Sequence, residues 1–174
     1  IKNWQDLSKD INKVANGLKG LGIKPQDRIA ILSMTRPEWV MADIAILKNE
    51  GIVVPIYHSS LVDQIAYMLS DAEVKKIFVE NEEQLLKIRS IKTGKDFQII
   101  IFDKVSIPLN DNECYFASFE NQSDAFESPT LDASAVASLV YTSGTTGEPK
   151  GSMISHDNLL YEAQVIDKLG IVSS

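Results

Sequence analysis

The sequence predicts an α/β fold: a parallel sheet with helices on both faces, followed by the start of a second sheet unit carrying a hairpin. Three observations predict it. The apolar runs at 28–32, 52–56 and 98–102 are near-continuous rather than alternating, the mark of strands covered on both faces. Segments of helical period separate them, and strands joined by helices build a parallel sheet. After residue 134 the pattern changes to two β-prone runs, 135–141 and 152–155, flanking a Gly- and Thr-rich loop.

Each element has its own local reason. Leu7, Ile11, Val14, Leu18 and Leu21 recur at helical spacing, so 4–21 reads as an amphipathic helix with Trp4 on its apolar face. Residues 28–32 form a buried strand. Pro37 suits the first turn of a helix that runs to about Glu50, with Gly51 as its stop and Trp39 on its packed face. A strand follows at 52–56. In the helix predicted for 61–70, Ile65, Met68 and Leu69 face inward. A strand at 76–80, a helix at 82–91 ended by Gly94, and a strand at 98–102 complete the alternation. The next stretch is acidic and rich in Asn and Ser, with one helical turn or more expected at 115–119. The predicted organisation is therefore an α/β subdomain at 1–105, a connecting segment at 106–134, and a second unit at 135–174 that holds the hairpin and a helix from His156 to Leu169.

Composition removes several function classes. The chain has 174 residues, 44% hydrophobic and 24% charged, with a net charge of −7. That charge gives a nucleic-acid role no electrostatic footprint. No apolar run approaches the ~20 residues of a membrane-spanning helix. Cys114 is the single cysteine, so no internal disulfide can form. One cysteine and two distant histidines, His58 and His156, do not make a zinc site.

Residues 141–151 read Tyr-Thr-Ser-Gly-Thr-Thr-Gly-Glu-Pro-Lys-Gly and carry the chemistry. Glycine lets backbone approach a ligand and adopt positive φ. Successive N–H groups in such a turn form a concave anion site. Thr142, Ser143, Thr145 and Thr146 add hydroxyls, and Lys150 adds a point charge, a set suited to polyphosphate. A polar hairpin loop with no ligand is the ordinary alternative. The segment is not the P-loop of nucleotide triphosphatases, which places Lys directly after its last Gly and opens a helix. Here Lys150 follows Gly147 by three residues, behind Pro149, and strands flank the loop.

The loop resembles the phosphate-binding signature of the adenylate-forming superfamily, which includes acyl-CoA synthetases, luciferases and peptide-synthetase adenylation domains. The resemblance extends over most of the chain. It takes in Gly-Ile-Lys-Pro-Gln-Asp-Arg-Ile-Ala-Ile-Leu at 22–32, Arg36-Pro37-Glu38-Trp39 with Ala42-Asp43-Ile44-Ala45, and Gly-Ile-Val-Val-Pro-Ile-Tyr at 51–57. Gln-Ile-Ala-Tyr-Met-Leu at 64–69 with Asp71-Ala72, and His156-Asp157-Asn158-Leu159, are also similar. The Arg-Pro-Glu-Trp and Gln-Ile-Ala-Tyr stretches lean toward the long-chain fatty acyl-CoA synthetase branch.

The resemblance implies a function. A carboxylic acid, expected to be a fatty acid, would attack ATP to give an acyl-adenylate and pyrophosphate, and coenzyme A would then take the acyl group as a thioester. It implies that Thr142, Ser143, Gly144, Thr145, Thr146, Gly147 and Lys150 hold the phosphates, with Thr142 also contacting Mg2+. No catalytic residue is assigned within the segment. The chain begins at Ile1 and lacks the family's later motifs, so it is expected to be an N-terminal fragment, inactive alone and dependent on the rest of its own chain. A cytoplasmic location is expected, with peripheral membrane contact left open. An aryl or amino acid adenylating enzyme, and a non-catalytic binding or scaffolding domain, are the other readings. His156 is read as a helix start capped by Asp157 or Asn158, and His58 as a loop histidine after a strand.

Overall fold

The structure is a computed structural model, described for residues 3–92, 96–142 and 148–170. The apolar runs form strands β1 (Arg28–Leu32), β2 (Ile52–Ile56), β3 (Lys76–Val79) and β4 (Gln98–Ile101). Helices α1 (Trp4–Gly20), α2 (Pro37–Lys48), α3 (Val62–Asp71) and α4 (Glu82–Ser90) precede or connect them. A short strand β5 (Glu113–Tyr115), a 3₁₀ turn (Phe116–Asn121), the strands β6 (Val136–Thr142) and β7 (Lys150–Ser155), and helix α5 (His156–Lys168) complete the order.

All seven strands join one sheet, in the order β5-β4-β3-β1-β2-β6-β7. The pairings are parallel except β6 with β7. The hairpin therefore extends the first sheet through β2, where Val53 faces Ser138 and Ser138 Oγ donates to the Val53 carbonyl at 3.1 Å. Alternate residues of the central strands feed two cores. Ile29, Ile31 and Phe78 pack under α1 and α2, while Ala30, Leu32, Ile77 and Val79 pack under α3 and α4. Helices on both faces explain why these strands read as unbroken apolar runs.

Helix ends are set locally. The Asn3 side chain accepts from Asp6 N at 2.8 Å to start α1, and Asn81 does the same for α4 through Gln84 N at 3.2 Å. Pro37 opens α2 as predicted. The α2 stop differs from the sequence reading. Glu50, not Gly51, takes the left-handed conformation (φ 58°), and Gly51 N returns to the Ile46 carbonyl at 3.0 Å. Gly51 is required for space: a Cβ there would lie 2.8 Å from Ile46 Cγ2. Helix α4 ends at Ser90, and Gly94 lies outside the described residues.

Two further expectations change. Trp4 does not pack; it is 85% exposed, because the buried stripe of α1 begins about two turns later, at Ile11. Trp39 does pack, against the α1/α2 core. The connecting segment is more than a tether. Its β5 pairs with β4, held by Arg89, whose Nε reaches Glu113 Oε1 at 2.9 Å and whose Nη2 reaches Oε2 at 2.5 Å. Burial alone would raise the Glu113 carboxyl, but the Arg89 bonds and the Asn110 N–H hold it below the usual carboxylate range. Farther on, Asn12 and Asn16 of α1 bind the backbone at 123–125.

Candidate functional site

The loop sits between two paired strands, as its flanks predict. β6 runs parallel to β2, so its end emerges beside the carboxyl ends of the central strands, where α/β sheets hold ligands. The β6–β7 register places Thr142 opposite Lys150 and Tyr141 opposite Gly151. Both Thr142 and Lys150 are exposed. Lys150 makes no ion pair with Glu148 among the described residues, leaving its charge available. Ser143, Gly144, Thr145, Thr146 and Gly147 lie outside the described residues, so the structure locates the two ends of the predicted clamp.

Gly151 has a use the sequence did not reveal. It does not adopt positive φ. A Cβ at this position would lie 3.2 Å from Tyr141 Cζ and 3.5 Å from Cε1 and Cε2. The Tyr141 ring thus lies across the Gly151 backbone. Burial pushes the Tyr141 phenol above its ordinary value, and its hydrogen bond to Asp71 adds to the effect.

Ser33, Thr35, Trp39, Tyr57 and Val140 join Tyr141 around a cavity of about 150 Å³ at the same sheet edge. Larger depressions lie away from the hairpin, including one of about 620 Å³ beside Trp4, Leu7, Pro37 and Met41. They lack the concentration of hydroxyls that marks the loop. The crevice between β1 and β3, a second place where ligands could enter, is filled by side chains. Arg36 reaches Glu38 at 2.7 Å, Asp103 at 2.9 Å and Glu80 at 3.8 Å. Glu80 also accepts from Met34 N at 2.9 Å. Sequence reasoning treated Arg36-Pro37-Glu38 as a resemblance marker and missed this network, since Glu80 and Asp103 are distant in the chain.

Neither histidine builds a site. His156 is buried at the first position of α5. The N-cap residue is Ser155, and of the two expected capping oxygens Asn158 takes part, in a capping box: Ser155 Oγ accepts from Asn158 N at 3.2 Å, and Asn158 Oδ1 accepts from Ser155 N at 3.0 Å. The His58 carbonyl accepts from Gln84 Nε2 and Lys87 Nζ, which fixes the loop after β2. No group of three or more His, Cys, Asp or Glu among the described residues could hold a metal. The exposed Thr142 hydroxyl fits a hard cation as a single oxygen ligand, with phosphate oxygens supplying others. No helix among the described residues is long and apolar enough to cross a membrane.

Comparison with known proteins identifies a family for the chain. The family described as AMP-binding enzyme matches residues 2–172. The long-chain-fatty-acid–CoA ligase ACSBG2 of Rattus norvegicus is 33% identical, over 93% of this chain and 26% of its own length. The long-chain-fatty-acid–CoA ligase FadD15 of Mycobacterium bovis is 30% identical, over 91% of this chain and 28% of its own. Among solved structures, the anthranilate CoA ligase AuaEII in complex with anthranoyl-AMP aligns with a TM-score of 0.82 at 26% identity, covering 92% of this chain and 31% of that one. Apo MatB from Rhodopseudomonas palustris, at 23% identity and a TM-score of 0.81, shares the fold over 95% of this chain and 32% of its own. The chain thus spans about a quarter of the length of the curated relatives it matches.

Proposed function

The chain belongs to the AMP-binding enzyme family, and from that premise we propose that it is the phosphate-holding part of an ATP-dependent acid:CoA ligase. The observation that carries the reading is the pairing of Thr142 with Lys150 at the ends of a Gly/Thr-rich loop. The reaction is two-step. A carboxylate oxygen attacks the α-phosphorus of ATP, the bond to the β-phosphate oxygen breaks, and pyrophosphate leaves. The coenzyme A thiol then displaces AMP from the acyl-adenylate. Such a first step is promoted mainly by positioning and by charge neutralisation.

The residues of the chain have distinct roles in this reading. Thr142 offers a hydroxyl to phosphate, and to Mg2+ when that ion is bound. Lys150 offsets the charge of the departing pyrophosphate. Ser143, Gly144, Thr145, Thr146 and Gly147 supply the remaining N–H and hydroxyl donors. A bound Mg2+ would neutralise charge on the phosphates. A fatty acid is the preferred substrate because two ligases similar to this chain in sequence are named for long-chain fatty acids. An aryl acid is the second reading, favoured by the likeness to an anthranilate ligase. A cytoplasmic site of action goes with both, since ATP and coenzyme A are the co-substrates. The division into 1–105, 106–134 and 135–174 belongs to the same reading, with the third part docking on the sheet of the first through β2.

In the full-length ligase, Thr142→Ala and Lys150→Ala should each lower ATP–pyrophosphate exchange by about tenfold or more, or roughly 1.4 kcal/mol. Wild-type rates in both variants would reject the phosphate clamp, and no exchange with any acid in the parent would reject the ligase and favour a scaffold. The 174-residue chain alone should be inert and bind Mg-ATP at millimolar levels or weaker. Its contacts would reach one end of the nucleotide only. Calorimetric titration showing micromolar affinity would contradict this.

A further inference from the structure

Asp71 is an unusual choice for its position. It is the last residue of α3, where the helix macrodipole disfavours an acid, and that turn carries no basic residue. A local rule broken in this way points to a partner elsewhere in the fold. The partner is Tyr141, whose Oη donates to Asp71 Oδ2 at 2.5 Å across 70 residues of sequence. Tyr141 immediately precedes Thr142 on β6. The contact therefore ties α3 to the base of the phosphate loop.

Both ends of this link are themselves held. Ile65, Met68 and Leu69 anchor α3 in the core. Its carboxyl end turns through Glu73 in a left-handed conformation (φ 50°), and Val74 N returns to the Leu69 carbonyl at 3.0 Å. Arg28 of β1 clamps that turn, donating from Nε to the Ala72 carbonyl at 2.8 Å and from Nη2 to Glu73 at 2.5 Å. On the hairpin side, the Tyr141 ring lies over Gly151, its cross-strand partner, so closely that a Cβ there would push the ring by a few tenths of an ångström. Tyr67, one turn before Asp71, is close enough to feel the charges of both Asp71 and Glu148. The carboxyl half of α3 thus faces the hairpin at Tyr141 of β6 and at Glu148, ahead of β7.

We propose that Asp71, acting through Tyr141, is a positioning residue for nucleotide binding: it fixes the Tyr141–Gly151 pair and thereby the adjacent Thr142–Lys150 pair. This rests on the reading of the loop as the phosphate clamp. A charge-assisted O–H···O⁻ bond to a held carboxylate is directional enough to set the twist of the hairpin. Fixing the two residues behind the clamp presents the hydroxyl and the ammonium in one register before ATP arrives.

The test uses the full-length ligase and ATP–pyrophosphate exchange, with KM for ATP and kcat measured separately. Tyr141→Phe and Asp71→Ala should each raise the ATP KM by about fivefold with a smaller change in kcat, and the double variant should be no worse than either single. Asp71→Asn keeps an acceptor oxygen and should stay within about twofold of the parent. Should Tyr141→Phe fold poorly, Gly151→Ala displaces the ring from the other side and should raise the ATP KM in the same direction. Unchanged KM in Tyr141→Phe and Asp71→Ala, additive losses in the double, or a lower melting temperature with normal KM would each overturn the proposal. If Thr142→Ala and Lys150→Ala lower exchange while these variants do not, only the positioning role fails. If none of them lowers exchange, the phosphate-clamp reading fails first.

Discussion

The strands from β5 to β2 and the β6–β7 hairpin share one sheet but live in different environments. β3 is buried along its whole length, and β1 and β4 in all but their first residues. β7 is exposed from Lys150 to Met153, with Met153 at 73%. On α5, Leu160 and Tyr161 are likewise exposed. One half of the sheet holds the fold together, and the other leaves its outer strand and helix open to solvent. A binding loop requires exposed polar backbone and side chains, which a two-sided core cannot provide. The cost of that exposure is met by the neighbouring strands.

Breaking the core should have the largest effect on stability. Phe78 is fully buried, stacks with Phe102 at 5.7 Å and meets Phe116 edge-to-face at 6.2 Å between ring centroids. Phe78→Ala should destabilise by about 3–5 kcal/mol in urea unfolding. Met153→Ala, on the exposed strand, should change stability by less than about 0.5 kcal/mol. Equal losses would erase the contrast between the two regions.

The β5 edge should respond next. Arg89→Met leaves the Glu113 carboxylate, 1% exposed, without its cation and should cost about 3 kcal/mol at neutral pH. Because the folded Glu113 carboxyl is held below its unfolded value, its contribution is complete above the unfolded pKa, about 4.3, and is lost as pH falls through the folded value. Urea midpoints should therefore fall more steeply with acid in the parent than in Glu113→Gln. Parallel profiles would mean that the pair does not hold β5.

The smallest effect lies in α2, where Asp43 has no partner among the described residues. Burial pushes its carboxyl up to about 6. A raised acid opposes folding as pH climbs from its unfolded value toward 6, and the penalty is complete above that. Asp43→Asn should thus gain about 1 kcal/mol at pH 7 and nothing near pH 4. A gain independent of pH would point to helix propensity instead of charge.

The legibility of these regions follows the same division. Strands buried on both faces must be apolar throughout, so 28–32, 52–56 and 98–102 declared themselves without any partner in view. β5 did not, because Glu113-Cys114-Tyr115 is too short for a period and is held by Arg89, 24 residues away. Trp4 misled for a related reason: helical spacing identifies an apolar face but not the depth at which burial begins. The run from Tyr141 to Gly151 stood out as a candidate phosphate loop because hydroxyls, glycines and a lysine are concentrated in it.

By itself, then, the sequence determined the α/β alternation, the helix starts at Pro37 and His156, and the position of the loop between two strands. These depend on local propensity and on burial repeated along a segment. Only the tertiary structure decided that β6 extends the first sheet beside β2, that Arg36 fills the crevice above β1, and that Asp71 holds Tyr141. Each of those joins residues far apart in the chain, and their pairing is fixed by the packing of layers, which no local pattern encodes.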